Sequence, residues 1–534
     1  MLRTFLMILM MAGLVTACDG GSGQPAVGMT ITPADGTTGV EVNTVITALF
    51  DDDMFAKSID GSGFVLQDIA GAVDANVSYD VASRTASLTP TTELGLSRQY
   101  SVSLNASITD LSGNAISNTS SGFTTREGSW DIASLIGQDN PNMYLPKIAF
   151  DKQNNAMAVW VEDTLKTLVF ARYDAATKTW GTSSPVGNTT SQIGDVNFSV
   201  NGKGNAIVSW YETNGTLFEV YARVYTASTA SWGVTKLLAS STTTYPTQPK
   251  VAMDENDKAI VIWRQFESPT IFNVYASRYS AGSWSSSPIP LNNNGVRTNF
   301  HSIDTDAAGN MTVVWNNVVN DIYINQYNIA TNSWSGASLF ESPLGKTDYG
   351  PPALVVADNG NAIVAWLSHP YIYARHYDAS LKIWGANKLV STENSFLLLK
   401  VAMDESGNAI VAWTDADEST NYYVVEGSHY DAASQTWSAR QDISSRTVIY
   451  DTDELNVVMD VAGNAMVSWR EDVTDFIARR YQALSDSWGP ITPIESYTGS
   501  FQDGNLAVDS KGKVFAVWAQ RNGSTSNIGF NQFK

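Results

Sequence analysis

One phrase, repeated eight times, constrains what this chain can fold into. Its clearest copy is Val401-Ala-Met-Asp404-Glu-Ser-Gly407-Asn408-Ala-Ile-Val-Ala-Trp413. An Asp or its Asn substitute recurs at Asp151, Asn201, Asp254, Asp306, Asp358, Asp404, Asp460 and Asp509. A Trp follows at Trp160, Trp210, Trp263, Trp315, Trp366, Trp413, Trp469 and Trp518, nine residues on in seven copies and eight in one. A second Trp recurs at Trp130, Trp180, Trp232, Trp284, Trp334, Trp384, Trp437 and Trp488, preceded by an aromatic strand such as Tyr373-Ala-Arg-His-Tyr377. A period of about 50 residues marks a solenoid or a propeller.

Each unit reads as four strands. Strand A precedes the Asp, strand B runs from the Gly-Asn to the first Trp, strand C carries the Tyr, and strand D opens at the second Trp. Strand B is almost continuously apolar (Ala409-Ile-Val-Ala-Trp413), as suits a strand buried on both faces. Four strands in such a period make one propeller blade. The last unit stops at Phe533-Lys534 without a strand D, and Ser129-Trp130-Asp-Ile-Ala-Ser-Leu135 is a spare strand D ahead of the first strand A. A composite blade therefore closes the ring and removes the exposed strand edges of an open array. The expectation is an eight-bladed propeller over residues 126–534; an open β-solenoid leaves the spare strand unexplained.

Residues 28–125 carry short alternating runs bounded by turn residues, among them Thr44-Val-Ile-Thr-Ala-Leu-Phe50, Thr85-Ala-Ser-Leu-Thr-Pro90 and Gln99-Tyr-Ser-Val-Ser-Leu104. Period-two patterning at this spacing predicts a sandwich of about seven strands. Pro33-Ala-Asp-Gly36, Phe50 with Met54, Thr89-Pro90 with Leu94, and Asp110-Leu-Ser-Gly-Asn114 resemble the bacterial Ig-like domain of the SbsA (S-layer protein) type. That resemblance implies a spacer or adhesive module outside the cytoplasm. Asp51-Asp52-Asp53 stands where family members have Ser-Glu-Pro; neighbouring side chains on an extended chain diverge, so a solvated acidic turn is favoured over Ca²⁺. The fold class is thus all-β throughout.

Arg3 begins a short basic stretch, Phe5 to Val15 is apolar, and Val15-Thr16-Ala17-Cys18 follows. This resembles a bacterial lipoprotein signal peptide, residues 1–17, with its lipobox. The resemblance implies lipidation at Cys18, a flexible tether over residues 18–27, and attachment to a membrane of the cell envelope. The outer membrane or cell surface is favoured; Asp19 resembles the inner-membrane retention signal of enteric bacteria and keeps the periplasmic face of the inner membrane open. Cys18 is the chain's one Cys, so no intramolecular disulfide forms. After removal of the leader with Arg3, the chain has 31 basic and 53 acidic residues, a net charge of −22. That excludes nucleic acid and anionic lipid surfaces as favoured partners.

The A–B and C–D hairpins have near-constant length, whereas the B–C and D–A loops vary. Because strand direction alternates, the variable loops share one face, where binding is adapted. Seven of the eight D–A connectors carry an aromatic: Tyr144, Tyr245, Phe300, Tyr349, Phe396, Tyr450 and Phe501; the eighth has Ile193. Polar residues follow the first Trp, including Glu212, Arg264, Asp415 and Arg470. Aromatics beside carboxylates, amides and guanidinium groups suit a sugar, whose C–H face packs on a ring while its hydroxyls are bonded. Recurrence in nearly every blade favours the other explanation, that these aromatics wedge between blades.

No catalytic or metal-binding pattern emerges. His301, His369, His376 and His429 lack metal-ligand spacing, and Gly-rich phosphate loops and GxSxG elbows are absent from the sequence. Asp304-x-Asp306-x-x-Gly309-Asn310 reads as a hairpin turn rather than a Ca²⁺ loop. The repeat departs from the sialidase Asp-box and from the quinoprotein repeat. The expectation is a monomeric, non-catalytic, cofactor-free envelope protein whose loop face binds a glycan or an envelope protein. The alternatives are a scaffold subunit, architecturally similar to the propeller lipoprotein of the barrel-assembly machinery, and, least favoured, a glycoside-cleaving enzyme.

Overall fold

The computed structural model describes residues 27–140, 142–189, 191–268, 271–292, 298–343, 351–368, 370–392, 396–417, 422–445, 454–471, 474–495 and 499–534. The leader, Cys18 and Asp19 lie outside these residues. Two sheets form the N-terminal sandwich. One orders Met29–Thr32, Ile46–Phe50, Thr85–Pro90 and Ala75–Asp80; the other orders Thr37–Val40, Thr119–Thr125, Gln99–Leu104, Phe64–Asp68 and Gly71–Ala72. The inward residues Ile46, Ala48, Phe50, Leu88, Tyr100, Val102 and Phe123 fill the core, as the alternation requires.

Eight antiparallel sheets follow, each ordered A-B-C-D. The eight A strands stand side by side in a complete ring, from Met143–Phe150 in blade 1 round to Ser500–Val508 in blade 8, which touches blade 1 again. Closure follows the sequence expectation. Ser134–Asn140 pairs antiparallel with Thr525–Phe533 and supplies strand D of blade 8. Trp130 bridges Phe533 just before it. All eight first-position Trp residues are buried, and each packs in a cluster shared with the preceding blade; Trp413, for example, sits with Ile363 and Ala365 of blade 5.

The repeated phrase is a turn device. In all eight A–B hairpins the turn residue's N–H donates to the carbonyl four residues on, as Asp404 N does to Asn408 O at 2.9 Å. The Asp404 carboxylate accepts from the Asn408 backbone N–H and from its side-chain amide, both at 2.8 Å. The third residue after the turn residue has positive φ in every blade: Gly in six, Asn154 and Asp257 in the others. Residues without a Cβ penalty, or with a short polar side chain, tolerate that region. The Asn side-chain oxygen then accepts from the C–D turn, as Asn408 does from Ala432 N at 3.1 Å, so one residue staples two hairpins together. The blade with the odd spacing is corrected here. Ala357, not Asp358, holds the turn position, because Ala357 N donates to Asn361 O at 2.8 Å. Asp358 lies one residue later, exposed and 2.9 Å from Lys152 Nζ. Spacing to the Trp is therefore nine in all eight blades.

The sandwich docks on the face formed by these constant hairpins. Glu93 pairs with Lys178 of the blade 1 C–D hairpin at 2.8 Å and with Lys513 of the blade 8 A–B hairpin at 2.5 Å. Leu96 N donates to Lys511 O at 2.8 Å, and Arg98 reaches Ser510 O at 2.9 Å while pairing with Asp68 at 3.1 Å. Glu127 pairs with Arg480 at 3.0 Å and accepts from Gln482. Met29 pairs with Phe50 at one pole of the sandwich, and Val40 pairs with Thr125 at the other, where the chain enters the propeller. The N-terminus thus leaves from the pole opposite the propeller.

Replacing Trp413 with Ala is expected to cost about 3–5 kcal/mol in urea-unfolding stability, since it opens a cavity between two blades. The lysines beside Glu93 lower its carboxyl from 4.5 to about 2. A lowered acid contributes stability that is complete above its unfolded value and is lost as pH falls from about 4.5 to about 2. Glu93→Gln should remove that acid-side loss and lower stability at pH 7 by about 1 kcal/mol or less, because the group is a third exposed; melting curves across this range check it.

Candidate functional site

The variable loops occupy the face opposite the sandwich, as the alternation of strands requires. Of the seven aromatics expected there, four have described side chains, and two of these pack between blades. Tyr144 donates its hydroxyl to the Ile193 carbonyl of the next blade at 2.8 Å and packs in the cluster joining blades 1 and 2. Burial pushes its phenol well above the ordinary range. Phe501 is fully buried and stacks on Phe476 of blade 7, ring centroids 4.4 Å apart. Both are wedges between blades, which corrects their assignment as ligand-binding residues. Phe300 is half-buried, its N–H donating to Asn316 at 3.1 Å. Tyr349, Tyr450 and the Phe396 side chain lie outside the described residues.

The polar positions are corrected in part for a related reason. Glu212 is buried; it accepts the Trp210 indole N–H at 2.8 Å and the Thr189 hydroxyl. A Trp wedged between blades brings its N–H into the interior, where an unpaired donor is costly. The residue two places after the Trp meets that need in several blades, through Glu162, Gln265 and Gln520 as well. Arg470 is nearly buried and lies 3.8 Å from Glu454. Asp415 is buried within strand B of blade 6. Arg264 lies on the face but is engaged: it donates to Asn299 O at 2.8 Å and packs over the Phe272 ring at 4.6 Å.

Tyr245 stands apart. It is 41% exposed, in the connector between blades 2 and 3. Its ring meets Phe218 edge-on at 5.0 Å and Phe266 edge-on at 5.6 Å. Phe218 opens strand C of blade 2, Phe266 lies near the end of strand B of blade 3, and both are half-buried. Two strand-end rings and one connector ring so form a platform on the variable face. On the opposite face of that strand, Glu219 accepts from the Tyr221 hydroxyl at 3.0 Å and from Ser240 at 2.9 Å. The sequence points to Tyr245 but not to Phe218 or Phe266. Phe218 follows the Asn214-Gly215 turn on the far side of the B–C hairpin, away from both the connector before strand A and the Trp.

Among the described residues, no group of three or more His, Asp or Glu is placed to hold a metal ion. Asp306 accepts from Gly309 N and Asn310 N at 2.7 and 2.8 Å, and Asp304 accepts from Val356 N at 2.8 Å, so the suspected Ca²⁺ loop is a hairpin turn.

Residues 22–125 match the bacterial Ig-like domain family. No curated protein matches the chain. Among solved structures, the Dos1 propeller is similar at TM-score 0.46 and 9% identity, over 76% of this chain and 95% of that one. The polysaccharide lyase Uly1 is similar at TM-score 0.40 and 11% identity, over 75% and 90%. A leech intramolecular trans-sialidase is similar at TM-score 0.38 and 10% identity, over 93% and 94%. At such values these likenesses carry no functional argument.

Glu212→Ala is expected to lower stability by about 1–3 kcal/mol by leaving the buried Trp210 N–H unpaired, and Glu212→Gln to recover most of it. Chemical denaturation of the two variants checks this. Recovery by Gln marks an indole acceptor rather than a ligand-binding charge.

Proposed function

We propose that this is a non-catalytic protein of the bacterial cell envelope, anchored by lipid on Cys18, which binds glycan on the propeller's variable face. The sandwich acts as a rigid spacer. It grips the constant-hairpin face through Glu93, Arg98 and Glu127, and its own N-terminus leaves from the far pole. A membrane anchor there puts the variable loops at the point most distant from the bilayer, open to an extracytoplasmic ligand.

The observation that carries the reading is the Tyr245, Phe218 and Phe266 platform. An exposed aromatic ring fixed by two edge-on neighbours is pre-ordered, so little side-chain entropy is lost when a flat apolar surface packs on it. The C–H face of a pyranose is such a surface.

A glycan array probed with the chain from Gly28 onward tests the reading. Tyr245→Ala is expected to weaken the retained glycan about fivefold, for roughly 1 kcal/mol of ring contact, with an unchanged melting temperature. A lower melting temperature with unchanged binding assigns Tyr245 to packing. Absence of any glycan, with an envelope protein co-purifying on the same face, replaces this function with that of a scaffold subunit. Turnover of a retained glycan overturns the non-catalytic reading.

A further inference from the structure

Strand C leans on the next blade through a contact that recurs in several of the grooves between blades. The side chain just before its aromatic reaches the strand C aromatic of the following blade. Arg172 donates to the Tyr225 hydroxyl at 3.3 Å. Arg278 donates to the Tyr327 hydroxyl and to Asn332, and the Tyr327 hydroxyl itself donates to Asn332 at 2.6 Å. His429 lies against the Tyr481 ring, centroids 5.5 Å apart, and the Tyr481 hydroxyl donates to Asp486 at 2.9 Å. Asn332 and Asp486 belong to C–D turns, so in these last two grooves the turn of the following blade fills the outer end.

At the seam between blades 7 and 8 the device lacks a part. Blade 8 has no C–D hairpin, because its strand C ends at Phe533 and its strand D comes from the sandwich side. Phe533 stands where Tyr327 and Tyr481 stand in their blades, and it has no hydroxyl. Arg480 lies over its ring at 4.9 Å and turns to Glu127 instead, at 3.0 Å. The groove is correspondingly larger. Between blades 3 and 4, Ile260, Arg278, Tyr327 and Trp334 border a volume of about 240 Å³. At the seam the matching places, Met466, Arg480, Phe533 and Trp130, border about 530 Å³. Residues 127–131, the link from the sandwich, form one side of it, and strand D of blade 7 forms another through Pro490, Thr492 and Pro493.

The lining is largely apolar, and its charged groups are matched within the protein. Met466 and Ile494 are buried, and Phe533 meets the Trp130 ring edge-on at 5.6 Å. Arg480 also lies 3.5 Å from Asp460, and Glu127 accepts from Gln482 at 2.6 Å. Asp131 pairs with Lys534 at 2.5 Å, and Glu495 accepts from Phe476 N at 2.8 Å. Asn531 is buried and donates to Asp131 O at 3.0 Å and to Ile494 O at 2.6 Å. A charged ligand would lose water here and find these counter-charges engaged, so a neutral one is favoured. Facing sheets stand about 10 Å apart, and a slot where one layer of side chains is thinned has the thickness of a flat ring. A preformed cleft of this size at a domain junction is a usual setting for a small-molecule site.

We propose that the seam between blades 7 and 8 binds a small, neutral, flat ring-bearing molecule, held between Trp130, Phe533 and strand D of blade 7. The site is separate from the Tyr245 platform and stands whether or not the variable face binds glycan.

Fluorescence titration with N-phenyl-1-naphthylamine, a neutral aromatic dye that brightens in apolar surroundings, tests it. The chain from Gly28 onward serves, since it carries every described strand of both domains. Saturable one-to-one binding is expected, with a melting temperature by circular dichroism that rises as dye is added, because a ligand held only by the closed seam stabilises the folded ring. Thr492 points into the cleft, since its neighbour Ile491 packs on the other face of the strand, toward blade 6. Thr492→Trp should fill the slot and weaken binding about tenfold or more, while Tyr245→Ala leaves it unchanged. The wild-type protein alone can overturn the proposal: no saturable fluorescence, or binding that leaves the melting temperature where it was, does so. A folded Thr492→Trp variant that binds as the wild type does, or loss of binding in Tyr245→Ala, overturns it as well.

Discussion

The pairing of Ser134–Asn140 with Thr525–Phe533 is the constraint on which the rest depends. Seven blades come from contiguous sequence; the eighth exists only when the two ends of a span of about 400 residues meet. Without that ladder, strand C of blade 8, Thr525–Phe533, would be a bare edge. The closing strand continues directly from the last strand of the sandwich, so ring closure and sandwich docking are parts of one event. The ion pairs of Glu93 and Glu127 flank this junction on residues from blades 1, 7 and 8. The sandwich therefore holds the ring at its seam.

Around the ring, the same physical need recurs and is met by different residues in five blades, while the indole N–H groups of Trp315, Trp366 and Trp469 have no acceptor among the described residues. Every first-position Trp brings an indole N–H inside, and Glu162, Glu212, Gln265 and Gln520 answer it from two places on, while Glu426 of the neighbouring strand answers Trp413 at 3.1 Å. Every strand A presents a bare inner edge, and Asn, Ser, Asp and Glu from the preceding blade cover parts of it. Polar residues that look free in a one-dimensional listing are thus spent on satisfying buried donors. That is why Glu212, two places after a wedged Trp, is structural.

The architecture was legible because its signals are local and repeated. Alternation marked the strands of the sandwich, the Asp-x-x-Gly-Asn-Trp spacing marked the hairpins, and the missing strand D with its spare copy marked closure. Blade 5 shows the limit: Asp358 matched the consensus letter, but the backbone puts Ala357 at the turn, because register is set by hydrogen bonds and not by side-chain identity. The site was less legible. Tyr144 and Phe501 share a sequence context with Tyr245, yet the first two fill gaps between blades and the third is exposed.

The sequence by itself determined the fold class, the blade count, the order of the two parts and the face on which the variable loops gather, since each follows from periodicity and strand alternation. Only the tertiary structure decided which aromatics reach solvent and which carboxylates are committed to buried N–H groups. Many of those facts depend on contacts between neighbouring blades, such as Tyr144 with Ile193 and Leu145 with Asp503, and no local pattern in the chain encodes how neighbouring blades meet.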